Sequence, residues 1–343
     1  MPELMTRWQL DQPGRQHLER VRVQRPQPGP GQLLIQVAAV SLNYRDLLLI
    51  DQGLGYEGEA GAPFTPASDL AGTVAACGPG VTRFVAGDAV ISTFIPGWID
   101  GPGLGTARAP NADVLGNGRF TGALAPYVLL DQHWAVSAPA RLSPAQASTL
   151  PVAGLTAWTA LVELGRVRPG DRVLVQGTGG VALFGLQIAA AQGAEVIVVS
   201  GDDAKLQRAQ ALGARHGINR RTTDWVQAVY NLTQNHGADH ILEIVGGPHL
   251  GRSLEAAAVG GRISLIGVLE GFELSGGFGP FARKNVSVQG VQVGHRRGLE
   301  ALVRAVDSTG LQPVVDGEYA FEDLPAALAH MERGPFGKVV VRA

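Results

Sequence analysis

Val173-Leu174-Val175-Gln176-Gly177-Thr178-Gly179-Gly180-Val181-Ala182-Leu183-Phe184-Gly185 is the stretch from which this 343-residue chain can be read. It opens with branched apolar side chains that predict a buried strand, and residues 182–191 continue in an apolar pattern that predicts a helix stopping at Gly193. Between the two lies G-x-G-x-x-G/A, with Gly177, Gly179 and Ala182 at the small positions. Gly177 allows a tight turn, Gly179 lets the main chain approach a pyrophosphate, and Ala182 permits close packing of helix on strand. The helix opening at Gly180 and Val181 turns its unpaired N–H groups and positive dipole end toward the phosphates. A glycine turn alone is weak evidence; the strand before it and the helix after it make it a dinucleotide site.

The next strand, residues 195–199, runs into Ser200-Gly201. A site for NAD places a carboxylate here to accept from the ribose 2′-OH. Ser200 instead leaves room for a 2′-phosphate and adds a hydroxyl, while Lys205 and Arg208 follow on the next helix as cations able to pair with it. Asp202 and Asp203 lie equally close and would repel a phosphate or serve NAD. The balance predicts NADPH, with NADH as the alternative. Lys205 also fits a plain exposed lysine at a helix start.

Further out, the strand–helix alternation continues: a helix over 204–212, a strand over 240–245, a helix over 250–258 and a strand over 262–266. This predicts a parallel sheet with helices on both faces. Upstream, short β runs over 33–40, 70–76 and 89–94, cut by Gly and Pro, predict a barrel-like domain. Residues 96–122 are rich in Gly, Pro and Asn and read as a long binding loop or lid. Downstream come helices over 298–308 and 324–333 and a last strand over 338–341.

Composition bounds the function. Hydrophobic residues are 45% and charged residues 17% of the chain, enough to bury a sizeable core, and a net charge of −2 provides no field to attract nucleic acid or an anionic membrane. No apolar run of about 18 residues is present, and residues 1–12 lack the apolar centre of a signal peptide, so a cytoplasmic protein is expected. The single cysteine, Cys77, forms no internal disulfide and cannot build a thiolate zinc cluster; it is expected as a small apolar residue in a strand. His236 and His240 have helical spacing, but Gly237 breaks the helix, so no metal pair is expected. His295-Arg296-Arg297 reads as a solvated helix start, and the absence of G-x-S-x-G leaves a hydrolase reading without its nucleophile motif.

Several further segments carry a family resemblance: Ser41-Leu42-Asn43-Tyr44-Arg45-Asp46, Gly78-x-Gly80-Val81-x-x-Phe84-x-x-Gly87-Asp88, Leu150-Pro151-x-Ala153-Gly154-Leu155-Thr156-Ala157-Trp158 and Gly337-Lys338-Val339. With the Gly177 turn, the chain resembles the medium-chain dehydrogenase/reductase superfamily over nearly its full length. The resemblance implies a Rossmann doubly wound parallel sheet inserted in a GroES-like β-barrel catalytic domain. The expected segments are 1–134, 135–290 and 291–343, with the active site in the cleft between domains. In the zinc alcohol dehydrogenases of this superfamily the metal is held at three positions, which here match Asn43, Ser68 and Val152, a set unsuited to zinc. The chain therefore resembles the quinone oxidoreductase-like members, and also a zinc-lacking group labelled alcohol dehydrogenase. By the same resemblance Thr156 approaches the nicotinamide, Val245, Ile266 and Val268 line the cofactor, and Lys338 reaches its phosphates or stays a surface lysine. A homodimer joined through sheet edges is implied in the same way.

Without a Lewis acid, alcohol oxidation needs a side-chain base, whereas a quinone or enone is already electrophilic and mainly needs positioning and a donor for the developing oxyanion. Asn43 is the first candidate donor, or else a turn-capping amide. Tyr44 is the neighbouring candidate, as proton donor, as a group lining the phosphates, or as a packed ring. Asp46 looks structural and paired with an arginine. Phe94 and Trp98 would wall a planar substrate or belong to the core. Three functions remain open: an NADPH-dependent reductase of quinones or enones, a zinc-independent alcohol or carbonyl dehydrogenase, and a non-enzymatic NADPH-binding protein.

Overall fold

Inward apolar and outward polar side chains alternate through the first part of the chain, and Gly and Pro end each run, so the segment pairs into sheet. The computed structural model describes residues 3–343 apart from 60 and 112. The chain divides into two units, Met1–Val152 with His295–Ala343, and Ala153–Gly294.

The first unit begins with an antiparallel ribbon of β1 (Leu4–Gln9) and β2 (Glu19–Gln24). Then follow β3 (Gln32–Ser41), α1 (Tyr44–Gln52), β4 (Asp69–Cys77), β5 (Ala89–Ser92), β6 (Tyr127–Asp131), β7 (Ala135–Ser137) and the short α2 (Pro144–Ala147). A π turn over Leu150–Gly154 follows at the boundary, and the second unit opens with α3 (Leu155–Trp158) and a further π turn over Thr159–Leu164.

The second unit continues with β8 (Arg172–Gln176), α4 (Gly180–Ala191), β9 (Glu195–Ser200), α5 (Asp203–Ala211), β10 (His216–Asn219), α6 (Trp225–Leu232), β11 (Ala238–Glu243), α7 (His249–Ala256), β12 (Ala257–Leu265), α8 (Phe278–Arg283) and β13 (Ser287–Gly290). Its six strands are all parallel in the order β10-β9-β8-β11-β12-β13. The order reverses between β8 and β11, which is where a doubly wound sheet opens a ligand crevice at the strand C-termini. Leu174, Ile197, Ile241 and Ile263 from four neighbouring strands make its core.

The chain then returns to the first unit with α9 (Arg296–Thr309), β14 (Val315–Ala320), α10 (Leu324–Glu332) and β15 (Lys338–Arg342). The sheet order is β14-β15-β3-β4-β5-β7, with β6 also on β3. Val340 and Val341 of the last strand lie opposite Ser41 and Val40 of the first long one, so the two chain ends share a sheet.

The expected architecture, a doubly wound parallel sheet inserted in a β-rich domain made from both chain ends, is the observed one. Two details differ from the sequence reading. The units meet the chain at 152/153 and 294/295, not at 134/135 and 290/291, because β7 pairs with β5 of the first unit and α2 follows in the same unit. Cys77 is exposed at the end of β4, its thiol directed at the Phe84 carbonyl, where an apolar strand residue was expected. No helix among the described residues is long and apolar enough to cross a membrane.

Candidate functional site

In the second unit the glycine turn has the conformation that its residues allow. Gly177 sits at φ +80°, a region costly for any residue with a Cβ, and donates to the Val199 carbonyl at 2.7 Å. Gly179 is the N-cap of α4 with φ −81°, which any residue tolerates. A Cβ built on either glycine meets nothing within 4 Å. The space beside the turn is therefore open, and the first-turn N–H groups of Gly180 and Val181 have no carbonyl within the helix to meet. This cradle fits a pyrophosphate. Ala182 is buried as expected, but the tightest helix–strand approach is one turn later, where a Cβ on Gly185 would lie 2.2 Å from Leu242 Cδ1.

Ser200 ends β9 and is 6% exposed. The two acids that could have served a ribose are engaged elsewhere: Asp202 accepts from the Lys205 N–H at 3.1 Å as the cap of α5, and Asp203 accepts from Asn219 Nδ2 at 2.7 Å. Lys205 is half-buried on α5, with Arg208 exposed three residues on. Sequence reasoning missed Arg221. It follows β10, which lies beside β9, and a Cβ on Gly201 would be 2.9 Å from Arg221 Nε. Its guanidinium thus lies over the residue next to Ser200. No sequence spacing signals this; only the β9–β10 pairing brings it there.

Val245, Ile266 and Val268 are half-buried just past the ends of β11 and β12. They share the C-terminal edge of the sheet with the Gly177 turn and Ser200. Thr156 lies on α3 and is 3% exposed.

In the first unit, Asn43 is the N-cap of α1, and its N–H donates to Asp46 Oδ2 at 2.8 Å. Asn43 Oδ1 accepts from the Lys338 ammonium at 2.6 Å, and Lys338 also donates to the Leu42 carbonyl at 2.5 Å. Asn43 Nδ2 is buried, close enough to Asp69 to favour its charged form, yet without a hydrogen bond. Asn43 as a substrate donor is therefore corrected to a tie within the fold, since its oxygen is occupied and its NH2 has no accessible surface. Lys338 is corrected too. It is 4% exposed and bonded to Leu42 and Asn43, so it neither reaches a phosphate nor sits on the surface. Tyr44, the next residue after the cap, is 44% exposed.

Around this lysine lie two buried carboxylates. Asp46 pairs with Arg45 at 3.2 Å, as expected of a structural residue. Asp69 accepts from Ser68 Oγ at 2.7 Å and from the Val152 N–H at 3.2 Å. Burial pushes Asp69 up to about 6, against the pull of Lys338, Asn43 and Ser68. Burial likewise lowers the Lys338 pKa, while Asp69 and Asp46 hold it up.

The positions matched to a metal site thus present an amide oxygen bonded to an ammonium, a hydroxyl bonded to Asp69, and a valine. That set does not fit zinc. Among the described residues no group of three or more His, Cys, Asp or Glu is placed to hold a metal. His236 and His240 pair separately, with Asp239 at 2.7 Å and Asp171 at 3.2 Å. The basic helix start is not simply solvated. His295 caps α9, Arg296 donates its N–H to the Trp98 carbonyl and pairs with Glu300, and Arg297 pairs with Asp100. Trp98 packs edge-on to His295, and Phe94 is buried under Arg45.

Two family models match the chain: an alcohol dehydrogenase GroES-like domain over residues 29–140 and a zinc-binding dehydrogenase over residues 180–308. A zinc-type alcohol dehydrogenase-like protein of Schizosaccharomyces pombe is 36% identical over 321 residues, 91% of each chain. A crystal structure from Sinorhizobium meliloti 1021, under the provisional name alcohol dehydrogenase, is 56% identical with a TM-score of 0.96 over 100% of both chains. That of an NAD-dependent alcohol dehydrogenase is 30% identical with a TM-score of 0.87 over 99% of both.

Proposed function

The chain belongs to the medium-chain dehydrogenase/reductase superfamily of NAD(P)-dependent oxidoreductases, and on that premise we propose that it reduces quinones or activated C=C bonds with NADPH and without a metal. The nucleotide, when bound, supplies the hydride. The chain's part is to hold it and to manage the proton. Gly177 and Gly179 leave room for the pyrophosphate, and Gly180 and Val181 offer it N–H groups. Ser200 and Arg221 favour a 2′-phosphate, since Asp202 and Asp203 are occupied in a helix cap and in the bond to Asn219. In the first unit Tyr44 is an exposed residue whose hydroxyl is the proposed proton donor to the reduced acceptor.

The observation that carries the metal-free reading is the Lys338 ammonium 2.6 Å from Asn43 Oδ1. A dication using that oxygen would have to displace a buried cation, and no thiolate or imidazole is present there to compensate. This supports an acceptor that needs no Lewis acid. The test is turnover after exhaustive chelation: NADPH oxidation by a panel of quinones and enones, against NAD(P)+ reduction by alcohols. Zinc bound in stoichiometric amount and required for turnover would end the proposal.

A zinc-independent alcohol or carbonyl dehydrogenase is the second reading; the names that the similar proteins carry favour its alcohol dehydrogenase part, though one of them is called zinc-type. It predicts the opposite outcome in the same assay. For the assembly we propose a homodimer. β13 ends the parallel sheet with one edge unpaired and all four residues exposed, and Phe272, Leu274 and Phe278 are exposed in the segment before it.

A further inference from the structure

Glu243 is the last residue of β11 and is completely buried. An ionised carboxylate in such a place persists only if its lone pairs are filled. Here they are. Oε1 accepts from the Val245 and Gly246 N–H groups at 3.0 Å each. Oε2 accepts from Gln176 Nε2 at 3.0 Å and from Ser253 Oγ. His249 Nδ1 lies 3.2 and 3.1 Å from the two oxygens, its ring stacked on Trp225. Burial alone would raise this carboxyl, but the bonds from His249, Ser253 and Gly246 hold it below the usual range.

These partners come from three places. Gln176 immediately precedes Gly177 of the turn, and its Oε1 accepts from the Ile244 N–H at 3.3 Å. Val245 and Gly246 form the loop after β11. His249 and Ser253 belong to α7. The same loop is locked to the loop after β12: a Cβ on Gly246 would lie 2.3 Å from the Gly267 carbonyl oxygen, and one on Gly267 would lie 1.5 Å from the Ile244 carbonyl oxygen. The Ile266 and Gly267 N–H groups donate to the Glu243 carbonyl at 2.9 and 3.1 Å, and Glu270 N–H to Val245 at 2.9 Å. A shift at Glu243 is therefore passed to Val245, Ile266 and Val268 together.

Topology says which part of a dinucleotide these loops face. Ser200 lies on β9, on one side of β8, and the glycine turn follows β8 itself; β11 and β12 lie on the other side. With the adenosine half toward β9 and the pyrophosphate at the turn, the nicotinamide half lies over the ends of β11 and β12.

We propose that Glu243 is a positioning residue, whose carboxylate sets the Val245 and Ile266–Val268 loops against the nicotinamide half of the cofactor. The proposal rests on the dinucleotide reading of the Gly177 turn. Glu243→Gln tests it, because the amide must turn its NH2 either toward the two loop N–H donors or toward Gln176 and Ser253. Two ligands are titrated by calorimetry: ADP-ribose, which lacks nicotinamide, and the reduced nucleotide that the wild type binds more tightly. Nicotinamide fluorescence is recorded alongside. The expected result is ADP-ribose affinity within about twofold of wild type, reduced-nucleotide affinity down on the order of tenfold, and a bound emission closer to that of free nucleotide. Unchanged binding of both ligands, or equal loss of both, overturns the positioning role. Failure of the wild type to bind either ligand overturns the dinucleotide reading instead. Should Glu243→Gln not fold, Ser253→Ala removes one donor, leaves the carboxylate charged, and is judged by the same selective loss.

Discussion

Gly179 places an open space where every other residue would put a carbon. Its backbone is extended, and a Cβ there touches nothing, so Gly179→Val leaves folding intact. The valine fills the cradle, and nucleotide affinity is expected to fall at least about 100-fold, roughly 2.7 kcal/mol, with the thermal midpoint unchanged. Retained affinity measured by titration would move the phosphates elsewhere. At the adenosine end, Arg221→Ala weakens NADPH without weakening NADH, and Ser200→Asp shifts the preference toward NADH by supplying the missing carboxylate. Equal effects of these changes on both nucleotides would remove the 2′-phosphate from this corner. Asp69 makes a different prediction. Its carboxyl stands at about 6 in the folded chain against an ordinary 3.8, so between those values the folded state keeps a proton that the unfolded state has released. Stability from this group is fully present below the lower value and is lost as pH rises through the upper one. Asp69→Asn flattens that decline, and thermal melts across pH 4 to 6 with the wild-type slope retained would contradict the assignment.

At the scale of elements, α1 shows how one helix start gathers a cluster. Asn43 caps it, Asp46 closes back on the cap, and Tyr44 is left exposed at the first turn. The polar pair at cap and third position was visible in Asn43-Tyr44-Arg45-Asp46; the lysine beneath it was not, because Lys338 arrives on β15 from the other end of the chain. α9 was legible because its apolar residues recur at helical spacing, and α4 because a long apolar run follows the glycine turn. β10 and β13 were not: His216–Asn219 and Ser287–Gly290 are four-residue edge strands with too little apolar pattern to register. β13 carries a prediction of its own. Its free edge is the proposed dimer contact, and Val288→Lys, a charge on an exposed edge residue, shifts the protein from dimer toward monomer in sedimentation velocity. A wild type that sediments as a monomer at all accessible concentrations would dispose of the contact.

At the scale of the whole molecule, the sequence by itself determined the dinucleotide unit. Strand, glycine turn and helix are consecutive in the chain, and their roles depend on local backbone freedom and apolar spacing, both written in neighbouring residues. The expectation that zinc is absent came from the residue types Asn43, Ser68 and Val152 at the positions matched by resemblance. Only the tertiary structure decided which polar atoms are already occupied. Asn43 and Lys338 stand 295 positions apart, yet the amide oxygen of one accepts from the ammonium of the other. Arg221 beside Gly201, and Gln176 beside Glu243, are equally products of strand pairing between separate segments, whereas the other donors to Glu243 come from the ten residues that follow it. Burial and hydrogen-bond partners are properties of three-dimensional neighbourhoods, and a sheet that joins both ends of a chain creates neighbourhoods that no local spacing records.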